Sequence, residues 1–497
     1  MLTRFYEARA YTPAWLEDGH PTRQAEEAVL LLERAAEKGL SSADYDAPLL
    51  AAKLTNLRAE QRATPSELAL FDAALTLALL RYTTNLAHGR VNPRSLYLDL
   101  DSNKRNIDVV ALLQRGIERN QVAAETEAAE PQLPMYAALK KSLAQYRRLA
   151  ADQTLPVVPT AKSKVEPGAT FAGIPQLQRR LVAFGDLDAA APERDDGDKF
   201  DDELVNAVKR FQERHGLTAD GVLGSATVQE VNRPLSERVR QIEMGIERIR
   251  WLPPAPAERF IVINIPRFKL LSFDGAIGTD RPLMEMDVIV GSAGRTPTPV
   301  FADQVDYVDF SPYWNVPRSI TLKELLPKLK RDPGYLARQG MEIVGAGVTT
   351  SVDASTLAEL ERGTVRLRQR PGAKNALGGV KFVFPNRYDV YLHSTPAHEL
   401  FSRTRRDFSH GCIRVEDPVA VAEFVLFDRP DWDAERIRRS MSLPEPVRVT
   451  LERPIPILIF YTTAVVDPQG RTHFLPDIYG HDKKLAEALN KAPTALP

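Results

Sequence analysis

The spacing of apolar residues along this chain changes period once, near Arg259, and that change limits the fold more than any other feature. Before it, apolar positions recur every three or four residues. Ala25, Ala28, Val29, Leu32 and Ala36 form one such stripe, closed by Gly39. Thr64-Pro65-Ser66-Glu67 reads as a capping box with proline at the first helical position, opening a long helix through Leu68, Phe71, Leu75 and Leu79 to about His88. Further helices are expected near 109–119 and 136–149. After Arg259 the period is two: residues 260–265, 268–273, 283–290, 380–384 and 388–393 are strand-like runs bounded by Gly, Pro and Asp. Almost no helix–strand alternation follows, so the second half is expected to be a mostly antiparallel β domain. The expected fold class is therefore multidomain α+β.

Prolines mark the joints, as in Leu155-Pro-Val-Val-Pro159 and Leu252-Pro-Pro-Ala-Pro256. The expected organisation is a helical scaffold over 1–150, a linker over 151–170, a small three-helix module over 171–232 and a connecting helix over 233–253. A catalytic β domain follows over 254–466, with a charged insertion at 321–379 as a lid over the site, and then a C-terminal segment over 467–497. The 65 Lys and Arg against 66 Asp and Glu give a net charge of -1, which argues against a nucleic-acid binder. The longest uncharged run, 454–466, is 13 residues with two prolines, too short for a bilayer span of about 20. The start, Met1-Leu-Thr-Arg-Phe-Tyr-Glu, lacks the basic and apolar regions of a signal peptide, so the chain is expected to be cytosolic or to follow a removed export signal.

The single cysteine excludes an intramolecular disulfide, and it sits in Ser409-His410-Gly411-Cys412-Ile413-Arg414. A thiol with a pKa near 8.5 needs a base or a positive neighbour to act as a nucleophile at neutral pH. His393, at the end of a strand-like run, is the candidate base. Gly411 permits a sharp turn that aims backbone N–H groups at a developing oxyanion. Taken singly, a lone cysteine is more often inert packing and a strand-end histidine more often structural. A zinc site of His393, His410 and Cys412 is a physical alternative, since residues 410 and 412 share a face on an extended strand.

Two resemblances weigh on this choice. Leu177-Gln178, Leu181, Ala207-Val208, Phe211-Gln212, Gly216-Leu217, Asp220-Gly221, Gly224 and Thr227 resemble the peptidoglycan-binding module of cell-wall enzymes, although the acidic loop 193–203 is longer than in compact versions. His393 followed by Ser409-His410-Gly411-Cys412 and Arg414 resembles the signature of YkuD-type L,D-transpeptidases. Ser311-Pro-Tyr-Trp314-Asn-Val-Pro317, Arg370-Pro-Gly-Ala-Lys-Asn375-Ala-Leu-Gly378, Lys381-Phe-Val-Phe-Pro-Asn386 and Tyr391-Leu-His393-Ser-Thr-Pro396 are similar to its large YcbB-like branch.

That resemblance implies a two-step acyl transfer joining third-position diaminopimelate residues through a thioester on Cys412. It implies His393 as base, the Ser394 backbone carbonyl as its orienting group, and the N–H groups of Gly411 and Cys412 as oxyanion donors. Arg414 and Tyr391 are stem-contact candidates, and Trp314 either lines the pocket or belongs to a core. Ser409 and His410 complete that set, with a structural role in the loop as the stronger expectation for both. An arginine cluster at 403, 405 and 406 is expected to be a solvated face. The resemblance further implies no metal or cofactor, tetrapeptide stems as donor and acceptor, carbapenem-type β-lactams as inhibitors, other wall-synthesis proteins as partners, a monomer, and a periplasmic location. Alternatives are an L,D-carboxypeptidase, a lipoprotein-anchoring transpeptidase, or a catalytically silent cell-wall-binding scaffold.

Overall fold

A computed structural model of the chain describes residues 1–491 except 60–62, 102–104, 161–162, 196, 255, 257 and 276–281. Parts of the expected linker (161–162), acidic loop (196) and C-terminal segment (492–497) thus lie outside the described residues. The chain divides into two compact units. The described residues of 1–257 and 462–497 make up one, and those of 258–275 and 282–461 the other. Among the described residues no helix is long and apolar enough to cross a membrane.

The first unit is almost entirely helical. Its longest helix, Pro65–His88, starts at the expected capping box: Thr64 Oγ1 accepts from the Glu67 N–H, and the Glu67 carboxylate accepts from the Thr64 N–H at 3.0 Å. Leu75, Leu79 and Tyr82 on its inner face are fully buried. Helices Ile174–Ala183, Asp202–Arg214 and Ser225–Val231 enclose a second core of Leu177, Leu181, Leu204, Val208 and Phe211.

The two motif glutamines of that module are structural. The Gln212 amide donates to Asp220 Oδ1, Val222 O and Thr227 Oγ1 at 2.9–3.1 Å and accepts from the Gly221 N–H at 2.8 Å. One buried side chain thereby satisfies the whole Asp-Gly turn. Gln178 does the same for the acidic loop, bonding Pro192 O and the Arg194 N–H. Gly221 has a φ of +75°, and a Cβ there would lie 2.8 Å from Val205. Arg214 and Asp186 form an ion pair with side chains only 2% and 0% exposed, and Arg214 also donates to the Thr472 carbonyl.

The helix Leu235–Arg250, expected as a connector, is buried on most of its surface. Arg250 pairs with Glu247 and donates to the Tyr136 hydroxyl. Residues 462–466, expected in the catalytic domain, belong to this first unit. Their strand Ala464–Val466 pairs with Thr472–Phe474, and a Cβ on Gly245 would come within 3.3 Å of Ala464.

The second unit is built on nine strands: β1 (Phe260–Asn264), β2 (Lys269–Phe273), β3 (Met284–Gly291), β4 (Phe301–Phe310), β5 (Val380–Val383), β6 (Leu392–His393), β7 (Asp407–Ser409), β8 (Ile413–Val415) and β9 (Val447–Phe460). Their order is β7-β3-β8-β6-β5-β4-β9-β1-β2, and β2 also pairs with β3, so eight of them close into a ring. Most pairs are antiparallel, as expected. The exceptions are β6 with β8, β7 with β3, and β9 with β1, which are parallel.

The insertion has its own four-stranded sheet, in the order Trp314–Asn315, Arg366–Gln369, Met341–Val344, Val348–Thr349. Helices Leu326–Arg331 and Ala354–Arg362 cover a core of Leu329, Leu336, Leu360 and Leu367. It therefore begins at Trp314 rather than at 321, because Trp314 pairs with Gln369.

Candidate active site

Register across the ring decides which side chains meet. Val449, Val308, Phe382, Leu392 and Ile413 stand opposite one another on successive strands and are all buried, so they mark the core face. The next column, on the other face, is Arg448, Asp309, Lys381, His393 and Arg414. Tyr391 and Cys412 each precede a member of this column by two residues and so share its face. The parallel pairing sets Ile413 against Leu392, which brings Cys412 alongside Tyr391 and makes it a diagonal neighbour of His393.

His393 is buried, and its Nδ1 lies 2.5 Å from the Ser394 carbonyl oxygen. A carbonyl only accepts, so Nδ1 carries the proton and Nε2 is the basic nitrogen. Burial, then the neighbouring Arg414 and Lys381 cations, hold this imidazole down to about 3, although the Ser394 and Leu377 carbonyls favour its protonated form. The Tyr391 ring meets it edge-on, with centroids 5.7 Å apart.

Cys412 is half-buried, and its thiol donates to the Asp389 carbonyl at 3.6 Å. Asp389 occupies the left-handed region, φ +53°, in a turn held by Asn386, whose amide bonds Phe384 O and Val390 O. Burial pushes the thiol up, while hydrogen bonds from the Tyr391 N–H and hydroxyl and the field of Lys381 pull it back.

The nucleophile loop is fixed by its own residues. Ser409 Oγ donates to the Cys412 carbonyl and accepts from the Gly411 N–H at 3.2 Å. Thr298 Oγ1 donates to the Gly411 carbonyl at 2.8 Å, which turns the following N–H, that of Cys412, the opposite way. The Cys412 N–H has no acceptor among the described residues. Of the two expected oxyanion donors it is the open one, since the Gly411 N–H is already engaged.

Other expectations need correction. Ser409 is spent on the loop and is 3% exposed, so it is not a stem contact. His410 points away from the nucleophile and meets Glu324 of the insertion, Nε2 to Oε1 2.6 Å. It does not converge with His393 and Cys412, and no group of three potential metal ligands occurs among the described residues. Trp314 packs against the core of the insertion. Of the three arginines expected to be solvated, Arg403 and Arg405 are exposed, whereas Arg406 is buried and pairs with Asp287.

Sequence inspection missed Thr298, and it noted Gly378 and Lys381 only as members of family-like stretches without a role. Register and packing are what bring all three to the site. Gly378 has a φ of +60°, and a Cβ there would lie 2.5 Å from Ser394 Oγ and 2.8 Å from the Thr395 N–H nitrogen. Gly378→Ala is expected to displace the carbonyl that orients His393 and to destabilise the fold by about 1–3 kcal/mol. Urea unfolding and the rate of Cys412 acylation check the two effects, and wild-type values for both would refute the assignment.

Three segments of the chain match known protein families. Residues 258–457 match the family described as L,D-transpeptidase catalytic domain, of the YkuD type. Residues 172–230 match one described as "Putative peptidoglycan binding domain", and residues 1–143 match one described as a scaffold domain. A Haemophilus influenzae protein named "Putative L,D-transpeptidase" is 32% identical over 255 residues, which cover 50% of this chain and 50% of that protein. The alignment thus spans about half the length of this relative. A solved structure of an L,D-transpeptidase (Yku) from Stackebrandtia nassauensis is 13% identical, covering 60% of this chain and 97% of that one, with a TM-score of 0.25.

Proposed function

We propose that this chain, which carries a catalytic domain of the YkuD L,D-transpeptidase family and a peptidoglycan-binding domain, cross-links peptidoglycan stems through a thioester on Cys412. The observation that carries the reading is the diagonal placement of Cys412 and His393 on one face of two parallel strands, with the imidazole tautomer set by the Ser394 carbonyl.

The chemistry runs in two steps. His393 Nε2 takes the thiol proton, and Cys412 Sγ attacks the carbonyl at the L-centre of diaminopimelate in a donor tetrapeptide. The Cys412 N–H donates to the oxyanion. The bond to the terminal D-Ala breaks, its amine leaves with the proton from His393, and a thioester remains. The side-chain amine of a second stem's diaminopimelate then attacks this thioester and gives its proton to His393. The C–S bond breaks, and the Cys412 thiol recovers the proton. Arg414 has no hydrogen-bond or ion-pair partner among the described residues and orients a donor carboxylate, with Tyr391 beside the thiol. This substrate places the enzyme in the periplasm, and carbapenem-type β-lactams, which present a strained carbonyl, acylate the same sulfur.

The test is intact mass after incubation with a purified disaccharide-tetrapeptide, with Cys412→Ala alongside. The expected result is a covalent adduct on the wild type alone and a dimeric product lacking one alanine. An adduct without dimer transfers the acceptor role to water or a protein amine. No adduct and no product overturns the thioester reading.

A further inference from the structure

We propose that Lys381 is a positioning residue for the nucleophile, acting through Tyr391 to stabilise the Cys412 thiolate. The inference deepens the thiol assignment above and rests on it.

Lys381 stands opposite His393 on β5 and directs its side chain across the same face toward Tyr391. Its Nζ lies 4.0 Å from the centroid of the Tyr391 ring. Although half-buried, it makes no hydrogen bond or ion pair among the described residues, so the ring is its main polar contact. Most other cations on this unit behave differently. Arg406 takes Asp287, Arg448 takes Asp309, and Lys269 takes Asp287. An ammonium left without a counter-ion beside a nucleophile is costly unless a negative charge develops there.

That charge is the thiolate. The register sets Tyr391 alongside Cys412, where its hydroxyl pulls the thiol down, and the same ring carries the ammonium on its face. A cation over the π-system withdraws electron density, which makes the phenol O–H a stronger donor to sulfur. Lys381 also acts on Cys412 directly through space, and the surrounding titratable and charged groups are Asp309, Asp389, Arg448, His393 and Arg414, the last of which also faces Cys412. Asp309 is already engaged by Arg448, which limits its pull on the lysine. The arrangement is thus a Lys381–Tyr391–Cys412 relay that lowers the cost of ionising the sulfur when His393 takes its proton.

The experiment is the pH profile of Cys412 alkylation by iodoacetamide in the intact protein, without any stem. In Lys381→Met the inflection is expected to move up by about one pH unit, with a roughly ten-fold slower rate at pH 7.5. Lys381→Arg should restore most of the wild-type profile, and Tyr391→Phe should reproduce part of the shift. If methionine at this position unfolds the domain by circular dichroism, Lys381→Gln against Lys381→Arg makes the same comparison. A neutral variant whose profile superimposes on the wild type overturns the proposal. Alkylation needs no substrate, so that outcome leaves the transpeptidase reading standing. Absence of a stem adduct on the wild type, with the upward shift of the Lys381→Met alkylation profile still present, would sink the transpeptidase reading alone.

Discussion

Exchanging His393 for glutamine is expected to slow acylation of Cys412 by a tetrapeptide stem by about 10²–10⁴-fold, the usual range for removing a general base. Quenched-flow mass spectrometry of the adduct reads this directly, and a variant within ten-fold of the wild type would remove His393 from the mechanism. The same substitution has a second signature in stability. The imidazole sits at about 3 in the fold against an ordinary value of 6.5. Between these two pH values the unfolded chain binds the extra proton, so wild-type stability rises with pH across the window and is lost as pH falls from 6.5 toward 3. The loss is on the order of a few kcal/mol. His393→Gln should flatten that part of the curve in urea titrations.

The resting electrostatics also explain why substrate has to complete the site. An imidazole near 3 is a poor acceptor for a thiol that burial pushes up, so the two rest as neutral partners. Arg414 and Lys381 are the cations that depress the ring. On the proposed reading, a stem carboxylate at Arg414 would offset one of them and raise the basicity of the ring for the attack.

The second large effect lies far from the thiol in sequence. Asp186→Asn is expected to destabilise the first unit by about 3–5 kcal/mol, because it leaves the Arg214 guanidinium buried without its counter-charge. The double change Asp186→Leu with Arg214→Met should recover most of that loss, since it removes both charges together. Thermal unfolding of the three variants tests this. If the single variant costs less than 1 kcal/mol, the ion pair is not desolvated as described.

Legibility in the sequence followed the range of the interactions. The helix Pro65–His88 and the turn at Gly221 were readable because a capping box and an Asp-Gly step are local devices. Ser409 to Cys412 was readable for the same reason. Strand β4, Phe301–Phe310, escaped notice because aspartates interrupt its apolar alternation. Strand β9, Val447–Phe460, escaped because two prolines and a register shift between Thr450 and Ile455 hide its period. The run 388–393 was expected to be a full strand, but Asn386 holds its first part in a turn and only Leu392–His393 pairs. Alternation marks a strand without naming its partner or direction. The parallel match of β6 with β8, and with it the place of Lys381, was therefore out of reach.

That parallel match has a consequence for how freely the protein can vary. His393 and Cys412 are held by ladder hydrogen bonds between their strands, such as the Ile413 N–H to the Tyr391 carbonyl at 3.0 Å, and not by the chain that joins them. The stretch from Pro396 to Thr404 is then a replaceable spacer, anchored inward chiefly by Phe401, whereas Thr395 before it is buried and Arg406, Asp407 and Ser409 beyond it are tied to β3 or the nucleophile loop. The length and sequence of that spacer can therefore vary while the two strands keep His393 and Cys412 in register.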